Sequence, residues 1–431
     1  MQSEIVIVGG GAGGLELACK LGRRLGPSKV ALVDSRLYHI WKPSLHEVAA
    51  GTLDIHQEGL SYQMLGHDNG FTFTLGPMTG LDSTSKRITV GPVSGGGEEV
   101  LPERHIGYGA LVLAVGSTSN YFGVPGAREH TISLNATEDA ERFRLKLLRL
   151  LASADEHLEE GQKSGLDVVI IGGGATGVEL AAELREASGV YAVYGFSHLQ
   201  ARRDVHITLL EGAPRILAPL PERVSNAALR LLNKRAIQVV TDCRVTSIEK
   251  DKVHDGKGNT YPADLCVWAA GIRAPEFLGT LGLPTNRGGQ VEVDEHLRVK
   301  GVPDVYALGD CAACVDGNGK PVPPRAQAAH QQADYLRTTF VRRAQGKAAQ
   351  EAPYRYRDYG SLVSLGHTTT VGSLMGALRG ASWFVEGFVA RMMYLSLHLL
   401  HHQAVLGSVR TAVLAVARFL IRRTTPLVKL H

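Results

Sequence analysis

The chain has 431 residues, 44% apolar and 20% charged, with 46 Lys+Arg against 42 Asp+Glu for a formal charge of +4. That composition excludes a disordered chain, a collagen-like repeat and a disulfide scaffold, and at roughly 100–200 residues per domain the length allows two to four domains. The charge is uneven: residues 380–431 hold six basic side chains (Arg391, Arg410, Arg418, Arg422, Arg423, Lys429) and one acidic, Glu386, for +5, which leaves −1 on the other 379 residues.

Residues 4–8 are a short apolar run, preceded by no basic segment or small-residue cleavage site, and are expected to form a buried strand rather than a leader. Gly9-Gly10-Gly11-Ala12-Gly13-Gly14 follows, then a helical stretch over residues 15–25 and a second strand ending at Asp34. This is a βαβ unit with a dinucleotide fingerprint. One glycine permits the tight turn, one lets amides approach a pyrophosphate, and one lets helix and strand pack closely. The helix N-terminus adds amide donors and a positive dipole. Asp34, 25 residues after Gly9, is placed to accept ribose hydroxyls.

Residues 110–116 read as the next buried strand, ending on Gly116. Near residue 167 the pattern repeats: a strand over 167–171, Gly172-Gly173-Gly174-Ala175-Thr176-Gly177, a helix over 178–187 and a strand over 206–210 closing on Glu211. Glu211 lies 39 residues from Gly172, against about 20 in the standard fingerprint, so residues 189–204 are read as an inserted helix extension or loop. Strands over 265–271 and 304–310 end on Ala270-Gly271 and Gly309-Asp310. Ligands of open α/β sheets sit at such carboxyl ends. The duplication predicts an α/β fold with two Rossmann-like dinucleotide domains. Residues 1–130 and 276–350 would form one, residues 131–275 would be inserted as the other, and residues 351–431 would associate with a membrane or a second subunit.

Pro323-Pro324-Arg325 reads as a helix start; the pattern alone favours an ordinary first turn containing prolines over one whose first amides, Ala326 and Gln327, face a ligand. The five cysteines (Cys19, Cys243, Cys266, Cys311, Cys314) are few and odd in number, which points to a reducing compartment. Cys311-Ala312-Ala313-Cys314 admits a redox dithiol, and with no second C-x-x-C a structural zinc site has little support; the cysteines are read as packed free thiols after a strand. His398, His401 and His402 have the helical spacing of metal ligands and are read instead as a wet helix interface; no metal is expected. In residues 408–423, Arg410, Arg418 and Arg422 fall within an arc of about 120°, opposite Val409, Val413, Val416, Phe419 and Leu420. Such a helix would lie in a membrane interface, apolar face down and arginines on lipid phosphates. The longest uncharged run, residues 392–409, contains three His, a Gln and two Ser, which argues against a membrane span. Positive charge confined to such a helix gives nucleic-acid binding little support.

The two fingerprints, the strand ending in Gly309-Asp310 and Ala326-Gln327-Ala328-Ala329-His330-Gln331 resemble the two-dinucleotide-domain flavoproteins. Among these the chain is similar to the bacterial type II NADH:quinone dehydrogenases, single-subunit and non-proton-pumping. The resemblance runs from about residue 4 to Lys429-Leu430-His431, supported by Leu45-His46-Glu47-Val48-Ala49 and residues 360–376. It implies non-covalent FAD on the first fingerprint and NADH on the second. FAD would meet Gly9, Gly11, Gly13 and Gly14, with Asp34 on the adenosine ribose, Lys42 near the flavin, Gly116 at its border, Asp310 on the ribityl chain and the Ala326 and Gln327 amides at its pyrimidine end. NADH would use Gly172, Gly174 and Gly177, with Glu211 on its ribose and Ala270-Gly271 beside the nicotinamide. A carboxylate at Glu211 repels a 2′-phosphate, so NADH is expected over NADPH.

The resemblance also places Gln327 and Gln331 at a quinone pocket with His330 between them. It gives Glu179 a role linking nicotinamide, flavin and proton delivery, where the pattern alone reads as an acid favoured by the helix dipole. Many relatives carry Lys before the glycine at position 360; here Tyr359 stands there and leaves the proton donor to the quinone open. The implied activity is non-electrogenic transfer from NADH through FAD to a membrane quinone such as ubiquinone. The implied setting is a peripheral enzyme on the cytoplasmic face of the bacterial inner membrane, with which a homodimer is compatible. The rival readings are a sulfide:quinone oxidoreductase, which needs cysteines at the flavin, and a soluble ferredoxin or rubredoxin reductase, which needs no basic tail. Outside enzymes, the rival is a nucleotide-sensing module without turnover.

Overall fold

Strand β1 (Gln2–Val8) is central because its Val6 and Ile7 have no exposed surface, each such side chain stabilising the fold by about 1.5–3 kcal/mol. It leads through helix α1 (Ala12–Leu25) to β2 (Val30–Asp34), parallel to it with Ile7 opposite Leu32. The computed structural model describes residues 2–159, 165–348, 350–366, 369–375, 382–421 and 428. After the short helices α2 (Leu45–Ala50) and α3 (Ile55–Glu58) come β3 (Thr72–Leu75), β4 (Met78–Asp82), β5 (Arg87–Val90) and β6 (Arg104–Leu113), giving the order β3-β2-β1-β6-β5-β4.

The chain then builds a second, all-parallel sheet. Its elements are β7 (Ile132–Ser133), α4 (Thr137–Glu159), β8 (Leu166–Ile171), α5 (Ala175–Tyr194), α6 (Ala201–Asp204), β9 (Val205–Leu210), α7 (Glu222–Lys234), β10 (Ile237–Val240) and β11 (Leu265–Trp268). The order is β7-β11-β8-β9-β10. Strand β12 (Val305–Ala307) returns to the first sheet beside β6, with Leu111 opposite Val305, and α8 (Ala326–Ala344) follows. An antiparallel unit of β13 (Gly360–Ser364), β14 (Thr370–Met375) and β15 (Ser382–Glu386) then leads to α9 (Phe388–Leu406) and α10 (Ser408–Ile421). This is the duplicated, interrupted α/β arrangement the two fingerprints predict.

Some local expectations shift. Helix α5 runs on to Tyr194, past the expected 187, because Tyr191 is fully buried and its hydroxyl donates to Ala50 O at 3.0 Å. Arg325 caps α8, so both prolines precede that helix instead of occupying its first turn. On α10, Val409, Val413, Val416 and Leu420 are exposed as expected of a lipid-facing side. Of the arginines expected on lipid phosphates, Arg410 pairs with Asp68 and Arg418 with Glu58, because this chain's own carboxylates lie within reach. Arg422, Arg423, the terminal Lys429-Leu430-His431, Gly376 and the Phe419 side chain lie outside the described residues. No described helix is long and apolar enough to cross a membrane.

Candidate functional site

The loop between β1 and α1 turns on Gly9, whose φ of +103° favours glycine. A Cβ at Gly9 would lie 2.5 Å from Ala114 O, and one at Gly14 would lie 2.0 Å from Gly9 O, so helix and strand meet only as glycines. At Gly11 a Cβ would meet no atom within 4 Å, which leaves the amide end of α1 to a ligand rather than to packing. Gly13 does not share that role. Its added Cβ would stand 2.6 Å from Leu308 Cδ1, because this face of α1 packs on β12 and α8.

The second loop repeats the first. Gly172 has φ +111°, a Cβ at Gly177 would lie 2.0 Å from Gly172 O, and one at Gly174 would meet nothing within 4 Å. Each loop also holds its acid in one way. Gly10 N–H donates to Asp34 Oδ2 at 2.6 Å, and Gly173 N–H donates to Glu211 Oε2 at 2.5 Å. The other carboxylate oxygens accept amides from Arg36 at 2.9 Å and Ala213 at 2.7 Å. The long spacing to Glu211 is therefore harmless. The extra residues are taken up by the extended, packed end of α5 and by α6, and β9 returns in register with Leu210 opposite Ile171. Both loops fit a dinucleotide's pyrophosphate and ribose.

Three residues distant in sequence meet beyond the first loop. Lys42 Nζ donates to Ser117 O at 3.0 Å, and Ser117 Oγ donates to Asp310 Oδ2 at 2.8 Å. Gly116 beside them has φ +69°, with no atom within 4 Å of an added Cβ. Burial lowers the Lys42 ammonium's pKa, and the Asp310 carboxylate works against that shift. At the end of β11, Trp268 Nε1 donates to Ala270 O at 2.7 Å. A Cβ on Gly271 would meet the Phe122 ring at 2.3 Å. Phe122, 64% exposed at this mouth, went unnoticed in the sequence because an isolated loop aromatic carries no pattern.

Helix α8 separates residues expected together. Gln327 Nε2 donates to Gly360 O at 3.0 Å while its Oε1 accepts from Tyr359 N–H at 3.2 Å. One turn on, Gln331 Nε2 donates to Arg357 O at 2.8 Å and its Oε1 accepts from Arg357 N–H at 2.9 Å. Both amides thus pin residues 357–360. His330 does not stand between them: about 100° round the helix from Gln331, its Nδ1 meets the buried Glu16 of α1. Glu16 is also bonded by His401 Nδ1 at 2.8 Å, and His401 Nε2 lies 2.9 Å from His39 Nε2. His39 Nδ1 lies 2.9 Å from Gly10 O, and donating there leaves its Nε2 to accept from His401. Burial pushes the Glu16 carboxyl up, but His330 and His401 more than offset this and hold it well below the usual range. The available signal was an acid on the apolar face of α1.

Glu179, on α5 just past its glycine loop, is 7% exposed. Its Oε1 accepts Ser364 N–H at 3.0 Å, its Oε2 lies 3.7 Å from His46 Nδ1, and the Tyr394 hydroxyl hydrogen-bonds it. Burial raises its pKa to about 7. Burial also disfavours the charged His46 ring, yet Glu179, Glu47 and Glu183 together raise its pKa. His46 Nε2 is buried with no hydrogen-bond partner among the described residues. Cys311 and Cys314 are free and buried, their thiols pushed to about 11 and about 12 by burial, which suits packing rather than redox exchange.

The pyridine nucleotide-disulphide oxidoreductase family model matches residues 3–333. A type II NADH:quinone oxidoreductase of Haemophilus influenzae is 37% identical, with 100% of each chain covered. One from Mycobacterium tuberculosis is 27% identical over 92% of this chain and 84% of its own. Among solved structures, NDH2 of Plasmodium falciparum in complex with NADH superposes with a TM-score of 0.83 at 19% identity, over 100% of both chains. The sulfide:quinone oxidoreductase of Aquifex aeolicus reaches 0.71 at 20% identity, over 94% of this chain and 92% of that one, a likeness of fold alone. The chain belongs to the pyridine nucleotide-disulphide oxidoreductase family and, within it, to the type II NADH:quinone oxidoreductases.

Proposed function

We propose that the two glycine cradles hold the two dinucleotides of one reaction: FAD at Gly9, Gly11, Gly14 and Asp34, and NADH at Gly172, Gly174, Gly177 and Glu211. The enzyme is an FAD-dependent, non-electrogenic NADH:quinone oxidoreductase. The observation that carries the residue assignment is the matched carboxylate-to-amide geometry of the two loops. Bound FAD supplies a carrier that accepts a hydride from NADH and passes two electrons to a quinone. Lys42, Gly116 and Asp310 would hold the flavin end, with the amides of Ala326 and Gln327 offering the positive end of α8. Ala270 and Gly271 would border the nicotinamide. Gln327 and Gln331 act by bracing residues 357–360 as a wall of the quinone pocket. Glu179, sharing a proton with His46 and Tyr394, would hold a proton for the quinone. The division into residues 1–130, 131–275, 276–350 and 351–431 is supported by the two sheets and the return through β12.

The test is anaerobic: NADH is added to the purified holoenzyme, the visible flavin band is followed, and a short-chain quinone is then added. Bleaching and recovery are expected; bleaching with no recovery on quinone would assign a protein acceptor instead. Glu211→Gln removes the charge that repels a 2′-phosphate. It is expected to raise the NADPH-to-NADH ratio of kcat/KM by about 10-fold or more, and an unchanged ratio would remove Glu211 from the ribose.

A quinone dissolves in lipid, and the exposed Val389, Leu397, Leu400, Val409, Val413 and Val416 of α9 and α10 are the surface that would meet it. This reading places the enzyme peripherally on the cytoplasmic face of the bacterial inner membrane. Val409→Asp/Val413→Asp/Val416→Asp is expected to cut the vesicle-bound fraction by about 10-fold or more, with NADH bleaching intact. Retained vesicle binding would assign these valines to a second copy, and light scattering would then show a homodimer.

A further inference from the structure

Where α9 passes the short helix α3, three side chains that serve neither dinucleotide come together. His398 and His402 stand one turn apart on α9, and Glu58 ends α3. One ligand atom from each lies within 4.8 Å of the other two. His402 Nδ1 donates to the His398 carbonyl oxygen at 3.1 Å, which leaves Nε2 with its lone pair. Burial disfavours the charged ring and holds His402 below the usual histidine range. An imidazole tied through its other N–H to a backbone carbonyl is the usual preparation of a metal ligand.

Two of these donors already meet one cation. Arg418 of α10 donates to Glu58, and its Nη2 lies 3.5 Å from His402 Nε2. The Trp41 ring stacks on His398 at 6.2 Å, and Ser44, Leu53 and Leu60 line the same cleft. Two imidazole nitrogens and one carboxylate oxygen suit a borderline ion of tetrahedral habit, with water as fourth ligand. They do not suit calcium or magnesium, which take oxygen donors.

We propose that Glu58, His398 and His402 bind one divalent ion of the zinc class in competition with the Arg418 guanidinium, joining α9 to α3 of the first domain. The ion displaces Arg418 from Glu58 and changes no oxidation state.

The test uses chelator-treated, FAD-loaded enzyme, titrated with Zn²⁺ by calorimetry and with Co²⁺ by the tetrahedral absorption bands beyond the flavin spectrum. One equivalent is expected to bind, and His398→Ala/His402→Ala should weaken it by at least about 100-fold. Arg418→Gln keeps every ligand and removes the competitor, so it should tighten binding by about 10-fold. Flavin content and bleaching by NADH report the fold of each variant, and the arginine variant tests the competition even where the histidine variant fails to fold. Absence of stoichiometric binding would overturn the proposal. So would binding unaffected by loss of both histidines, or an affinity that Arg418→Gln leaves unchanged or lowers.

Discussion

Gly177→Ala is expected to give a yellow protein whose flavin NADH no longer bleaches. The added methyl would stand 2.0 Å from Gly172 O, a backbone atom that no rotamer change can move away. Helix α5 must therefore shift from the loop whose amides are proposed to meet the pyrophosphate. Overpacking of this kind costs about 1–3 kcal/mol or more, and misplacing the nicotinamide adds to it. NADH-dependent flavin reduction should fall by at least about 100-fold. FAD should stay bound, since its own cradle belongs to the other sheet. The mirror variant, Gly14→Ala, meets Gly9 O at the same 2.0 Å and is expected to purify without flavin. Visible spectra and stopped-flow bleaching separate the two. Should Gly177→Ala lose FAD while Gly14→Ala keeps it, the assignment of the loops would be reversed.

Glu179→Gln should slow quinone reduction by about 100-fold, within the usual range for a lost acid–base group, while leaving flavin bleaching by NADH within about threefold. The same substitution has a signature in stability. Burial raises the Glu179 pKa from 4.5 to about 7. The folded state then binds more protons than the unfolded state between those values, so this group's contribution is complete below pH 4.5 and is lost as pH rises through 7. The loss is on the order of 3 kcal/mol. His46, raised by its carboxylate neighbours, has the same sign and extends the decline above its usual 6.5. Thermal unfolding of the FAD-loaded enzyme from pH 5 to 8 should show this decline, flattened in Glu179→Gln. A pH slope equal in both proteins would mean that Glu179 is ionised throughout and holds no proton for the quinone.

Much of the site was legible from one dimension. Both fingerprints, their acids and the strand-end residues Gly116, Ala270, Gly271 and Asp310 were legible because turn, phosphate approach and helix packing each demand a residue type at a short, fixed spacing. The long gap before Glu211 looked like a defect in that pattern. It proved to be an excursion of α5 and α6, absorbed because strand register, not loop length, sets where the acid ends.

By itself, then, the sequence determined the duplicated α/β fold, the two dinucleotide loops and the family, all carried by local patterns. Only the tertiary structure decided which face each polar side chain takes. It turned His330 from Gln327 and Gln331 toward Glu16, gave Gly13 to packing against Leu308, and turned Arg410 and Arg418 to Asp68 and Glu58. It also brought His46, Glu179 and Tyr394 together from three separate helices. Gly13 apart, the physical reason is common to these. A buried or half-buried charge takes whatever opposite charge or hydrogen-bond partner the packing brings within reach, and that partner comes from an element far away in the chain.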